Sequence, residues 1–208
     1  MGVGAGELTF YIEQFVQDDY GLYEIDVQQK NCVLLDVGAN IGVFSIAAAT
    51  RFPDATIYAF EPNPVAYSRL VRNLELNDTA NVQPANRAVY SSCSIVEFSD
   101  GSSTSLGSVI DSGTLSVEAV TLDSVCSQKA IGHIGLIKID VEGAEVEVLR
   151  GAQNTLGITD WLVAECHSAE LATSVETLLS AYYIQKVSER RVPQGGGVLR
   201  FKKQKVSQ

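Results

Sequence analysis

Two rhythms of apolar and polar positions alternate along this chain. Short apolar runs of strand type end in turns that contain Gly or Pro, and apolar positions at helical spacing follow them. Residues 32–37 (CVLLDV) form the first run, and residues 41–51 read as a helix that stops near Pro53. Thr56–Phe60 is a second strand, with Tyr67, Leu70, Val71 and Leu74 on one face of the helix behind it. Residues 82–89 hold a third strand. Residues 135–140 (GLIKID) are a strand of buried type, and Ala144, Val148, Leu149 and Ala152 share one face of the helix that follows. Residues 161–165 are a fifth strand.

Strand–helix alternation predicts an α/β fold: a mostly parallel sheet with right-handed crossovers and helices on both faces. The end of the chain departs from it. Residues 181–188 and 198–203 are strand-like and joined by RRVPQGGG, which predicts an antiparallel hairpin at a sheet edge. Residues 8–15 read as a helix and residues 23–27 as a short strand. Residues 1–30 are thus expected to cover the sheet, and residues 31–208 to form one domain. The Ser- and Gly-rich stretch 100–114 lies between strand-like residues 95–98 and Leu115–Val120, and is expected as a loop over the site.

Composition narrows the class. A chain of 208 residues with 46% hydrophobic and 19% charged residues is long enough for one domain with a core. Its net charge of −10 argues against a protein built to grip nucleic acid or anionic lipid, both of which need a positive field. The charge is uneven: residues 186–208 carry seven basic side chains against Glu189, a net +6, leaving −16 for residues 1–185. On an edge hairpin those lysines would discourage sheet-to-sheet pairing. No charged stretch followed by an apolar run opens the chain, and no apolar run is long enough to span a bilayer. Cys32, Cys93, Cys126 and Cys166 form no CxxC pair, so reduced thiols and a cytoplasmic location are expected.

Five strand ends carry candidate chemistry. At residues 36–42 (DVGANIG), Gly38 and Gly42, on either side of Ala39, let backbone approach a ligand, and the next helix offers free N–H groups. Asn40 stands where a dinucleotide fingerprint needs its second glycine, and Asp36 would oppose a pyrophosphate. The turn suits instead a ligand with a cationic amine or sulfonium and one carboxylate, the groups of S-adenosylmethionine. Glu61, in EPNP with Pro62 and Asn63, can accept two hydrogen bonds from a ribose diol, as in both nicotinamide and methyltransferase folds. Asn86 and Ala88, at the third strand end, would face an adenine ring or simply close a turn.

Asp140 ends a central strand, at the edge where open α/β sheets bind ligands. Lys138 lies two residues earlier on the same face and needs a carboxylate partner if buried. Glu165 and His167 end the neighbouring strand, so that Asp140, Glu165 and His167 can converge. Such a group could remove a hydroxyl proton through His167 or hold a divalent cation, and we favour the base. No metal is therefore expected.

DVGANIG at 36–42, EPNP at 61–64, NRAV at 86–89, TLDSV at 121–125, LIKIDVEGAEVEVLRGA at 136–152 and AECH at 164–167 together resemble the FkbM family of S-adenosylmethionine-dependent methyltransferases. The resemblance runs from about Val33 to His167. It implies the class I methyltransferase (Rossmann-like) fold, a seven-stranded, mostly parallel sheet with an antiparallel last strand. It also implies O-methylation of hydroxyls on natural products and sugars. By this resemblance Asp36, Gly38, Asn40 and Gly42 would hold the methionine part of the cofactor, Glu61 its ribose, and Asp140 would sit near the transferring methyl. The expected partner is a small-molecule or glycan hydroxyl acceptor, with no nucleic acid and no membrane; a homo-oligomer is left open. The rival readings are a nucleic-acid methyltransferase, a dinucleotide oxidoreductase and a non-catalytic cofactor-binding module. Against the first, the amino-directed signature [DN]PP[YF] is replaced here by IDVE at 139–142.

Overall fold

A computed structural model of the chain describes residues 18–27, 31–98, 115–182, 184–191 and 196–203. Its strands are β1 (Val33–Val37), β2 (Thr56–Phe60), β3 (Val82–Ala85), β4 (Ala88–Val89), β5 (Ser94–Phe98), β6 (Leu115–Val120), β7 (Ile134–Ile139), β8 (Thr159–Cys166), β9 (Ile184–Arg191) and β10 (Gly197–Lys203). Its helices are α1 (Val43–Arg51), α2 (Pro64–Leu76), α3 (Leu122–Gln128), α4 (Glu145–Arg150), α5 (Gln153–Gly157) and α6 (Ala169–Ser180).

Seven strands form one sheet in the order β3-β2-β1-β7-β8-β10-β9. The first five run parallel, and β10 pairs antiparallel with both β8 and β9. This is the class I methyltransferase architecture, with the basic C-terminal hairpin at the sheet edge. The chain runs outward from β1 to β3, returns to the centre at β7, then runs outward again. The strand order therefore reverses between β1 and β7, and open α/β sheets bind ligands beyond the strand ends at that reversal.

Alternation along the strands builds two cores. Leu35, Val37, Ile137, Ile139, Leu162 and Ala164 pack with residues of α3, α4, α5 and α6 on one face. Leu34, Ile57, Leu136, Trp161 and Val163 pack with Phe44 and Ala48 of α1, Leu70 and Leu74 of α2, and Tyr20, Leu22 and Ile25 of the N-terminal segment on the other. Helix starts follow local chemistry. Asn63 caps α2 by accepting from Val65 N (2.9 Å) and Ala66 N (3.2 Å), with Pro64 in the first turn. Thr121 caps α3 and Ser168 caps α6 in the same way.

Several expectations need correcting. The third strand is not continuous over 82–89: it breaks at Asn86–Arg87, and β4 joins a separate three-stranded sheet with β6 and β5. Residues 23–27 are not a strand. Asp18 accepts from Leu22 N (2.6 Å) and Tyr23 N (3.1 Å), and Gly21 is left-handed (φ 65°), which winds Leu22–Glu24 into a 3-10 turn. The helix expected near 144–152 ends at Arg150 and resumes as α5; Gly151 between them lets the Tyr90 carbonyl come within 2.3 Å of where a Cβ would stand. The helix expected at 8–15 and the loop at 100–114 lie outside the described residues.

Candidate functional site

On the face that carries Leu34, Leu136 and Val163, the next same-face positions toward the strand ends are Asp36, Lys138 and Glu165, and Asp140 follows Lys138 by two. An apolar stripe thus becomes a charged one at the C-terminal edge of the sheet. Strand register sets Asp36 beside Lys138 and Lys138 beside Val163.

Lys138 is 3% exposed and Asp36 0%. Lys138 Nζ lies 3.3 Å from Asp36 Oδ1 and 3.6 Å from Asp140 Oδ2, and donates to the Gly38 carbonyl at 2.7 Å. Ser45, in the first turn of α1, donates to Asp36 Oδ2 at 2.6 Å. Burial alone would lower the Lys138 ammonium; Asp36 and Asp140 more than offset it, so Lys138 stays charged above its ordinary range. The Asp36 carboxylate has no accessible surface: Oδ2 accepts from Ser45, and Oδ1, without a hydrogen-bond partner, is ion-paired with Lys138, so it supports the turn from beneath.

Above Asp36 the chain turns through two left-handed residues, Gly38 and Asn40. Gly38 has φ 77°, and a Cβ there would stand 1.7 Å from the Asp140 carbonyl oxygen, so only glycine lets the β1 and β7 ends meet. Asn40 is also left-handed (φ 49°), a conformation that Asn tolerates better than most side chains. That explains how Asn40 serves where a second glycine was expected. Its Oδ1 is buried without a hydrogen-bond partner.

Glu61 ties two strand ends together. Its Oε2 accepts from Asn40 N and its Oε1 from Asn63 N, both at 2.8 Å. Burial pushes this carboxyl up to about 7, with the two amides pulling the other way. Asn86 Nδ2 donates to the carbonyls of Glu61 (2.8 Å) and Pro62 (3.0 Å), so its amide closes the turn after β2. The side chain of Ala88 packs into the core of the small sheet with Val96 and Ala119, away from the strand-end row.

The acid–base groups stand beyond β7 and β8. His167 Nε2 lies 3.5 Å from both Asp140 Oδ1 and Glu142 Oε2. The hydrogen-bonded Asp140 and the nearby Glu142 charge push the imidazole up to about 9. His167 is therefore an imidazolium at neutral pH, not the near-neutral group its unperturbed value suggests. Burial favours a proton on Asp140, but Lys138 and His167 hold it below the usual carboxylate range. Burial raises Glu142 to about 7. Glu165 does not join His167; its Oε2 contacts the Tyr20 hydroxyl at 2.6 Å. The donors of Asp140, Glu142 and His167 lie within 4.8 Å of one another, and His167 Nε2 stands 3.5 Å from a carboxylate oxygen of each partner.

Two residues escaped the motif reading. Glu142 was hidden because its role depends on a left-handed turn at Glu142–Gly143 (φ 53° and 105°), visible in sequence only as VEGAE. Tyr20 has no local signal at all, since its partners lie 120 and 145 positions away.

The family model described as methyltransferase FkbM domain matches residues 36–185. The chain belongs to the FkbM methyltransferase family. It is similar to the hexuronic acid methyltransferase AglP of Haloferax volcanii, with 29% identity over 158 residues, 75% of this chain and 64% of that protein. It is also 29% identical to the 31-O-demethyl-FK506 methyltransferase FkbM of Streptomyces tacrolimicus, over 90% of this chain and 86% of that one. Among solved structures, the precorrin-6y C5,15-methyltransferase of Geobacter metallireducens superposes with a TM-score of 0.58 at 14% identity, covering 88% of this chain and 85% of that one, which speaks to the fold.

FkbM methyltransferases depend on S-adenosylmethionine, and the residues present fit that group. The orphan Asn40 Oδ1 and the partly exposed Asp140 carboxylate suit an ammonium and a sulfonium, and Glu61 is fixed by two amides at the end of β2, where a ribose diol needs an acceptor. Among the described residues no helix of this FkbM protein is long and apolar enough to cross a membrane.

Proposed function

We propose that this protein methylates a hydroxyl of a sugar or other small molecule, with His167 as the base. The observation that carries the reading is the His167–Asp140 contact at the end of the two strands beside the glycine turn. It is supported by two relatives whose names specify methyltransferases for a hexuronic acid and for an O-demethylated natural product.

The 38–42 turn and Asn40 would hold the amino-acid end of the cofactor, with Asp36 and Lys138 keeping that turn in shape. Glu61 would accept from the ribose diol, and the backbone beside Asn63 and Asn86 would border the base. When bound, S-adenosylmethionine supplies a methyl already activated by a sulfonium. What remains for the chain is to align the acceptor oxygen and take its proton. Alignment contributes up to roughly 7–11 kcal/mol of barrier lowering in favourable cases, and a base about 10²–10⁴-fold. With Nε2–H bonded to Asp140, Nδ1 is the His167 nitrogen that takes the acceptor's proton once the imidazolium has lost its own Nδ1 proton, toward pH 9. Glu142 is the second candidate, because its carboxyl at about 7 is poised near neutral pH.

The test is transfer of isotopically labelled methyl to a panel of uronic acids, neutral sugars, hydroxylated natural products and a transfer RNA. Label recovered as a methyl ether, and lost in His167→Ala, is the expected result. Label confined to nucleic acid or to nitrogen or carbon positions would overturn the reading.

A further inference from the structure

Tyr20 belongs to none of the sequence motifs, yet it is 5% exposed and its hydroxyl touches two carboxylates. The oxygen lies 2.9 Å from Asp140 Oδ2 and 2.6 Å from Glu165 Oε2. A phenol carries one proton and can donate to one of them. If both carboxylates were ionised, the other contact would bring two lone pairs together at hydrogen-bond distance, away from water, and would repel. The arrangement closes only with one further proton in the trio.

Neighbouring charges decide which carboxylate holds it. Asp140 stands 3.6 Å from Lys138 Nζ and 3.5 Å from His167 Nε2, two cations that keep it ionised. Among the residues whose side chains are described, no Lys, Arg or His forms an ion pair with Glu165. Arg200, on the neighbouring strand β10, is paired with Glu24. The negative Asp140 and Glu142 favour a neutral Glu165, against a weaker pull from Lys138 and His167 at longer range.

Building on the proposed role of His167, we infer that Tyr20 is a positioning residue: its hydroxyl oxygen accepts a hydrogen bond from a neutral Glu165 and its O–H donates one to Asp140, fixing the chain Glu165–Tyr20–Asp140–His167. The relay keeps Asp140 anionic and turned toward His167, so that Nε2–H stays bonded and Nδ1 faces the acceptor. Burial, and then the Asp140 charge, raise Glu165, in keeping with this assignment. Tyr20 is itself locked in place. Its ring meets Phe44 edge-on at 5.6 Å and lies 5.5 Å from Lys138 Nζ. The left-handed Gly21 beside it fits against Arg200, where a Cβ would stand 1.4 Å from the guanidinium. The N-terminal segment is thus part of the site, placing one hydroxyl between two carboxylates.

Tyr20→Phe keeps the ring contacts and removes only the relay. Loss of the donor strengthens the pull of Asp140 on the His167 proton, so the alkaline limb of the pH–rate profile should move upward by about half a pH unit. Turnover should fall about tenfold, while S-adenosylhomocysteine affinity stays within about twofold. An unmoved limb in a folded Tyr20→Phe protein overturns the inference. A second measurement is independent of catalysis. The infrared difference between wild type and Glu165→Gln at neutral pH should contain the carbonyl band of a protonated carboxylic acid. A carboxylate band in its place would show Glu165 ionised and refute the relay, even if methyl transfer is found.

Discussion

Lys138 and Asp36 form an ion pair almost sealed from water, with Nζ 3.3 Å from Oδ1 and side chains 3% and 0% exposed. Neighbouring parallel strands bring them side by side, so the pair joins β1 to β7 where the strand order reverses. A buried charge that loses its partner is far more harmful than one never placed there. Lys138→Met should therefore lower unfolding free energy by about 3–5 kcal/mol. Adding Asp36→Asn should recover part of the loss. Urea titrations of the two variants check this, and an unchanged midpoint in Lys138→Met would contradict it.

The start of α2 depends on Asn63, whose Oδ1 accepts from two backbone amides. Asn63→Ala should destabilise the fold by about 1–2 kcal/mol, and Asn63→Ser should restore most of it. Because Asn63 N also anchors Glu61, the Ala variant tests whether that amide holds its position without the cap.

Stability should fall as pH rises from mildly acidic to alkaline. His167 is raised to about 9, so its contribution is complete below its unfolded value near 6.5 and is lost as pH climbs through 9. Glu61 and Glu142 are raised to about 7; the fold resists their charging, so stability is lost from their unfolded value of 4.5 up through 7. All three have the same sign. Thermal midpoints measured across that range should decline steadily, and His167→Ala should flatten the alkaline half.

The pH dependence of turnover separates the two candidate bases. With His167 as base, kcat should rise through an apparent value near 9. With Glu142 as base, the limb should lie near 7 and disappear in Glu142→Gln.

Much of this architecture is legible in local pattern. CVLLDV and GLIKID read as buried strands because they are, and the charged residues that interrupt them, Asp36 and Lys138, are each other's partners. Glu61 was legible as the carboxylate at the end of the second strand, where it accepts from Asn40 N and Asn63 N. The small sheet was not, because a break at Asn86–Arg87 turns on one side chain reaching back to the Glu61 and Pro62 carbonyls. Alternation at Tyr23, Ile25 and Val27 suggests a strand, but the Asp18 carboxylate captures two amides first and makes a turn. His167 could be named from AECH, whereas its charge state could not: that follows from two carboxylates converging 3.5 Å away. Tyr20 required the tertiary fold, since only chain reversal brings it to Asp140.

Calorimetric titration with S-adenosylhomocysteine tests the central claim most directly. The account predicts single-site binding to the wild type. It predicts affinity weakened by about tenfold or more in Glu61→Ala, which removes a carboxylate acceptor, and within about twofold of wild type in His167→Ala. No binding at all, or binding abolished by His167→Ala and untouched by Glu61→Ala, would contradict it.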